Sequence, residues 1–253
     1  MARMGGSRHL KSLAAPEFWP ILRKEYKWTV KPSPGPHPLE RCLPLLILVR
    51  DIFKYAKTGK EARRLIGEGH FKVDGRVVRN YKFPVGLMDV IEITGVNEIY
   101  RILPTPVKVL WPYKIPREEA ELKPCQIINK TTVKGGHIQL NLHDGRNVIV
   151  KVADPRNPVE DIYETLGTVV ISLRDNAIVN YIPLKEGVIA IVYGGRNVGR
   201  VGRIVEIIPS ALKRRKYIVT LEDNAGRRFQ TSLEYVFPIG IDKPVITLYE
   251  GAW

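Results

Sequence analysis

The chain has 253 residues and carries 40 Lys and Arg against 26 Asp and Glu, a formal net charge of +14 with a pI near 9.8. At ~150 residues per domain this is room for about two domains, or three small ones, and 44% hydrophobic residues are enough to bury real cores. The longest apolar run, 43–49, is broken by Pro44 and stopped by Arg50, far short of the ~20 apolar residues of a membrane span. The basic N-terminus has no apolar stretch, which argues against secretion. It resembles a transit peptide weakly, and a nucleic-acid-binding arm accounts for the same composition at least as well. Cys42 and Cys125 cannot build a disulfide framework and fall in no C-x-x-C spacing, as suits a reducing compartment. A charge of this size selects a polyanion, nucleic acid or an acidic membrane surface, and its distribution has to decide between them.

Proline at 32, 34, 36 and 38 forces an extended path that closes an N-terminal arm. Leu45, Leu48, Val49, Ile52, Phe53 and Ala56 then recur with helical period and form one apolar stripe. Thr58 and Glu61 make a T-x-x-E capping box for a second helix with Ala62, Leu65 and Ile66 inward, which Gly67 or, better, Gly69 ends. Residues 71–78 read as a hairpin turning at Asp74-Gly75, and 89–93 as a further strand. Five prolines between 104 and 124 predict a linker. From 126 onward the pattern is β: a hairpin at Asp144-Gly145 with Ile138, Leu140 and Leu142 on one face, a pair of strands around Asp175-Asn176, and strands within 188–208, 217–221 and 228–236. Strands at this spacing argue for small barrels.

The catalytic inventory is poor. The five histidines are scattered. His137 and His143 share a face without an evident acidic or thiol ligand and read as surface residues. Asp154, Glu160, Asp161 and Glu164 read as solvated loop charges around a proline-rich turn. No nucleophile-elbow, metalloprotease or phosphate-loop sequence occurs, and neither Gly67-Glu-Gly69 nor the G-x-x-x-G-x-x-G run from Gly195 is a dinucleotide fingerprint. No cofactor, metal or small-molecule substrate is expected.

The basic residues are organised. Residues 1–31 hold seven Lys/Arg and two acids, net +5, with Phe18, Trp19, Tyr26 and Trp28 among them. These rings suit either stacking on RNA or anchoring the arm to its own body. Residues 50–82 hold ten Lys/Arg and four acids, net +6. Arg50, Lys54 and Lys57 are spaced to share the polar side of the first helix, and Lys60, Arg63 and Arg64 that of the second.

Residues 58–75 (TGKEARRLIGEGHFKVDG) and 89–93 (DVIEI) resemble the RNA-binding module often called the αL motif, over about 41–95. Phe71 stands where an aliphatic residue is usual and Met88 where Gly is common. The resemblance implies an RNA-facing surface of Lys60, Arg63, Arg64, His70 and Lys72. Residues 184–204 (LKEGVIAIVYGGRNVGRVGRI) resemble a KOW motif, with a buried strand and glycines shaping a loop that exposes Arg196, Arg200 and Arg203 to phosphate, next to Lys213, Arg214, Arg215 and Lys216.

With R-H-L-K-x-L-A-A-P-x-x-W and P-S-P-G-P-H-x-L-x-x-C-L-P-L ahead of these motifs, the whole chain closely resembles the small-subunit ribosomal protein S-four-e family of archaea and eukaryotes, in its archaeal form. The resemblance implies an α+β, multidomain fold. It would comprise a basic extended arm (1–40), an αL-type RNA-binding module (41–103), the linker (104–124), a central small β domain (125–183) and an SH3-like β-barrel with the KOW motif (184–253). It implies a structural, non-enzymatic rRNA-binding constituent of the small subunit in the cytoplasm. Its partners would be small-subunit rRNA and neighbouring ribosomal proteins, with no membrane. Expected RNA contacts are Arg3, Arg8, Lys11, Arg50, Lys54, Lys57, Lys60, Arg63, Arg64, His70, Lys72, the KOW-loop arginines and the run 213–216. An RNA-modifying enzyme and a KOW-type transcription factor use the same modules and are the alternatives.

Overall fold

The computed structural model describes residues 6–154, 158–209 and 217–249, so Arg3, Lys213, Arg214, Arg215 and Lys216 lie outside the described residues. Strands dominate it and helices are few. In the arm, β1 (Leu10–Lys11) and β2 (Trp28–Thr29) form an antiparallel ribbon. Trp19 is only 2% exposed and its indole Nε1 donates to the Cys42 carbonyl at 2.9 Å, which ties the arm to the next unit. Arg23 donates to the Ser12, Ala15 and Pro16 carbonyls within the arm itself. An extended arm was expected, but the arm is folded, because Leu10, Ala15 and Trp19 have a core to bury against.

That core belongs to a unit built from β3 (Cys42–Pro44), α1 (Leu45–Ile47), α2 (Gly59–Glu68), β4 (Phe71–Val73), β5 (Arg76–Val77), β6 (Pro84–Gly86), β7 (Val90–Ile93), β8 (Glu98–Leu103) and β9 (Trp111–Lys114). β3 pairs with β6, and the other strands form a sheet in the order β5-β4-β7-β8-β9. The first helix differs from its predicted form. After α1 comes a π-turn at Leu48–Ile52, in which the Phe53 amide bonds to the Leu48 carbonyl, and the chain leaves helical geometry at Lys54 with φ +58°. A π-turn inserts a residue and shifts the register, so Arg50, Lys54 and Lys57 do not share one helical face. The second helix starts as its box predicts. Thr58 Oγ1 accepts the Glu61 amide at 3.3 Å, Glu61 accepts the Lys57 amide at 3.0 Å, and Gly69 at φ +90° ends the helix. Asp74 and Gly75, at φ +49° and +76°, close the β4–β5 hairpin. Met88 is fully buried at φ +64°, a backbone that explains why glycine is common at that motif position. Residues 104–124 are structured rather than a free tether, since they supply β9 as an edge strand and the short 3-10 turn Glu119–Glu121. Pro112 is tolerated there because an edge strand can spare an N–H.

The central sheet has the order β12-β11-β10-β13-β14, from β10 (Leu122–Thr132), β11 (Ile138–Leu142), β12 (Asn147–Val150), β13 (Thr168–Ser172) and β14 (Ile178–Ile182). The last sheet has the order β18-β17-β16-β15-β19, from β15 (Ile189–Val192), β16 (Val201–Pro209), β17 (Tyr217–Glu222), β18 (Arg228–Ser232) and β19 (Val236–Gly240). The single strand expected over 228–236 is broken by a 3-10 turn at Leu233–Tyr235. The cores interlock through strands used on both faces. On β13, Val169 and Ile171 join the central core while Val170 joins the C-terminal one. On β15, Ala190 and Val192 face the C-terminal core while Ile189 and Ile191 complete the core of the arm and helical unit. A strand buried on both sides must be apolar throughout, which is why 188–192 reads VIAIV.

A buried charge cluster joins three of these units. Lys123 on β10 is fully buried, with its ammonium 2.7 Å from Asp74 Oδ2, 2.6 Å from Asp89 Oδ1 and 3.1 Å from Asp144 Oδ2. Arg146 reaches Asp74 at 2.8 Å and Asp144 at 3.1 Å, and His37 Nε2 from the proline-rich segment lies 3.0 Å from Asp89. Backbone amides complete the carboxylates, Gly86 donating to Asp89 at 2.8 Å and Val90 to Asp74 at 3.0 Å. Burial alone would discharge Lys123, but Asp89 and Asp74 outweigh it and hold the ammonium well above its ordinary range. Burial likewise favours protonated Asp89, yet Lys123 and His37 hold that carboxyl far below the usual carboxylate range. Gly86 allows the approach, since a Cβ there would lie 2.3 Å from the His37 ring. Alongside, His143 Nδ1 accepts the Gln126 amide and its Nε2 donates to the Leu87 carbonyl, both at 3.2 Å. The ring is thus satisfied as neutral imidazole, and burial pushes its pKa down to about 4. His143 is therefore a structural residue rather than the surface residue expected.

Two outcomes follow from the cluster. Lys123→Met leaves facing carboxylates without their ammonium and should lower unfolding stability by about 3–5 kcal/mol. Urea titration measures this, and a loss below ~1 kcal/mol contradicts a structural role. His143 binds a proton near pH 6.5 once unfolded but only near pH 4 when folded, so the unfolded chain takes up the extra proton between these values. Stability should fall as pH drops from 6.5 to 4, in a thermal-melt series whose slope is reduced in His143→Gln.

Candidate nucleic-acid interface

The ribbon of the arm and the helical unit enclose a groove of about 1130 Å³. Arg8, Lys27 and Lys31 line the arm side, while Arg50, Lys54, Lys57, Arg63 and Lys82 line the opposite side. Against these eight cations stand two acids, Glu25 and Asp51. Asp51 is engaged by Arg50, whose Nε and Nη2 meet its two oxygens at 3.0 and 2.9 Å. The positive field of the groove therefore comes mainly from the other seven side chains, focused between two walls. The early end of the first helix has a use here. With Lys54 in the left-handed region, the chain turns so that Lys57, Thr58 and Gly59 at the start of α2 also line the groove.

Aromatic rings lie among these charges. Arg63 stacks over Tyr81 at 4.8 Å, and Lys27 lies 5.6 Å from the Trp28 ring. The aromatic residues of the arm divide their roles. Trp19 is buried and Phe18 packs against the core, whereas Tyr26 and Trp28 are exposed and line the groove.

The structure brings only part of the expected set together. Arg8, Arg50, Lys54, Lys57 and Arg63 converge on the groove, whereas Lys11, Lys60, Arg64, His70 and Lys72 do not line it. Lys11 and Lys60 are exposed outside it. Arg64 pairs with Glu68 at 2.8 Å, His70 lies 3.2 Å from the same carboxylate, and Lys72 faces Glu92 at 3.8 Å. Their field is partly cancelled, although surface pairs like these are weak and exchange readily for phosphate. Lys27, Lys31 and Lys82 were counted in the charge balance but not singled out. For Lys27 and Lys82 the one signal in the sequence is adjacency to Tyr26, Trp28 and Tyr81, and Lys31, between Val30 and Pro32, carries none.

The glycine-rich loop before β16 works differently from its expected phosphate contact. Gly199, at φ +82°, donates its amide to the Val192 carbonyl at 2.7 Å, and a Cβ there would lie 2.4 Å from the Pro106 nitrogen. At Gly199, then, glycine serves close packing against residues 105–106. Arg196, Arg200 and Arg203 remain exposed, with Arg200 5.4 Å over the Phe229 ring.

Cys125, His143 and Asp144 bring potential metal-binding atoms within 4.8 Å of one another. The donor set does not suit a metal. Both His143 nitrogens are engaged, burial keeps the Cys125 thiol protonated, and the Lys123 ammonium already sits against Asp144.

A capped helix followed by the Asp74-Gly75 hairpin and the sheet that contains β7 defines an S4-domain protein, and an S4 domain model matches residues 53–91. An RS4NT (NUC023) domain model matches residues 4–40, and the model described as Ribosomal family S4e matches 96–178. The small ribosomal subunit proteins eS4 of Staphylothermus marinus and Aeropyrum pernix are 68% and 62% identical to this chain, each over the full length of both chains. The crystal structure of the 30S ribosomal protein S4e from Thermoplasma acidophilum superposes with a TM-score of 0.64 at 31% identity, covering 79% of this chain and 95% of that one. The chain belongs to the small ribosomal subunit protein eS4 family.

Proposed function

We propose that this protein is a structural constituent of the small ribosomal subunit, binding rRNA through its basic surfaces and stabilising the folded RNA, without catalysis. One observation carries the reading. A groove lined by eight cations and two acids includes the S4 domain's own helix start, in a chain 68% identical end to end to a small ribosomal subunit protein. Electrostatic attraction to phosphate supplies the affinity, and backbone contacts set the register on the RNA.

Within this reading the chain divides into an arm (1–40), an αL-type module (41–103), a connector (104–124), a central β domain (125–183) and a KOW-bearing, SH3-like barrel (184–253). The five-stranded antiparallel order β18-β17-β16-β15-β19 supports the barrel assignment. Arg8, Lys11, Arg50, Lys54, Lys57, Lys60, Arg63, Arg64, His70 and Lys72 serve the arm and module. Arg196, Arg200 and Arg203 offer a second contact from the barrel. Its partners are small-subunit rRNA and neighbouring ribosomal proteins, and its place is the cytoplasmic ribosome. Among the described residues no helix is long and apolar enough to cross a membrane.

The test is filter binding of small-subunit rRNA to the full chain over a salt series. The logarithm of affinity should fall linearly with the logarithm of salt concentration, because binding releases condensed counterions. Arg63→Glu with Arg64→Glu should weaken binding by about tenfold or more and reduce the salt slope by about one unit per lost contact, with an unchanged circular-dichroism spectrum. Salt-independent affinity, or full affinity in the double variant, contradicts the reading.

A further inference from the structure

We propose that the groove between the arm and the module takes an unpaired segment of RNA, with a base stacked on Trp28. The proposal rests on the RNA-binding reading and names the form of RNA that this site accepts. Trp28 and Tyr26 are 53% and 62% exposed although the ribbon carrying them is anchored by the buried Trp19. Large rings held toward a groove by a fixed backbone are pre-positioned for a flat partner, and their ordering cost is already met before binding. The cations occupy complementary places. Lys27 lies 5.6 Å from the Trp28 ring, against which the His9 ring is tilted at a centroid distance of 5.7 Å, and Arg63 and Lys82 lie over Tyr81 at 4.8 and 5.5 Å.

The pattern matches what a single strand offers: a phosphate backbone for the Lys and Arg side chains and exposed base faces for the rings. A duplex offers phosphates, 2′-hydroxyls and base edges but no free base face, since its bases are stacked on one another, so the rings would find no flat partner. The volume, about 1130 Å³, lies at or above the upper end of pockets that hold one drug-sized molecule, so a short run of nucleotides fits. An acidic peptide matches the charge but leaves the rings without flat partners.

The experiment measures binding of the full chain to a labelled single-stranded oligoadenylate and to a blunt RNA duplex of the same length, at low salt. The wild type should prefer the single strand, with quenching of tryptophan emission. Trp28→Ala with Tyr26→Ala should weaken single-strand binding about tenfold or more, leave duplex affinity unchanged and abolish the quenching. Lys134→Glu, on the turn between β10 and β11 and outside the groove, should leave the preference intact. Equal affinity for both probes, or full single-strand affinity in the aromatic double variant, overturns the proposal. So does an oligoglutamate peptide that displaces the oligoadenylate and loses affinity equally when the rings are removed, which would make the groove a protein-docking site. If the aromatic variant keeps full affinity while Arg63→Glu/Arg64→Glu loses rRNA binding, only the groove proposal falls. If the charge reversals also keep rRNA affinity, the functional reading falls with it.

Discussion

The fold depends on one buried ammonium. Lys123 leaves water entirely, at a desolvation cost of several kcal/mol, and is stable there only because Asp74, Asp89 and Asp144 meet it at 2.6–3.1 Å. None of these carboxylates sits in a regular strand. Each lies at a turn or strand entry: the β4–β5 hairpin, the residue before β7, and the β11–β12 hairpin. The cluster forms only when the S4-type unit and the central sheet dock in one relative position, so its geometry specifies that arrangement. His37 extends the same constraint to the proline-rich end of the arm. A second buried cation, Arg101, donates to the Glu119 and Leu122 carbonyls and pairs with the Glu119 carboxylate, which fixes the connector next to Lys123.

This architecture places the basic surface. The groove has one wall from the arm and one from the helical unit, so it exists only while the arm stays docked. Trp19 and His37 hold it there from two points. Glycine contributes in the same way at Gly86 and Gly199, where the absent side chain lets one segment close on another. The net positive charge thus sorts by position. Lys123 and Arg101 are internal cations and Arg146 a half-buried one that hold the units together, whereas Lys27, Lys31, Lys54, Lys57 and Lys82 face an open groove.

Local features were readable in the sequence because short-range chemistry determines them. The capping box at Thr58–Glu61, the stop at Gly69 and the hairpins at Asp74-Gly75 and Asp144-Gly145 all fall where turn residues and alternation put them. The length of the first helix was not readable, since the π-turn changes the hydrogen-bond register without changing the apolar period. Nor was the difference between Trp19 as anchor and Trp28 as groove residue, because both sit among similar basic neighbours and only the core decides which is buried. His143 looked isolated for the same reason. Its neighbour Cys125 is 18 residues away in the chain and arrives only through sheet pairing. Of the site, the module's cations were legible as a pattern, but their division into groove-facing and carboxylate-paired sets is a tertiary fact.

The most direct test of the account is ultraviolet crosslinking of the protein to RNA in native small subunits, with crosslinked peptides located by mass spectrometry. The account predicts crosslinks at Tyr26, Trp28, Lys57, Arg63 and Tyr81, the residues that line both walls of the groove. Crosslinks confined to the outward positions of the central sheet, such as Ile128, Ile149 and Val179, with none in the groove, would contradict it.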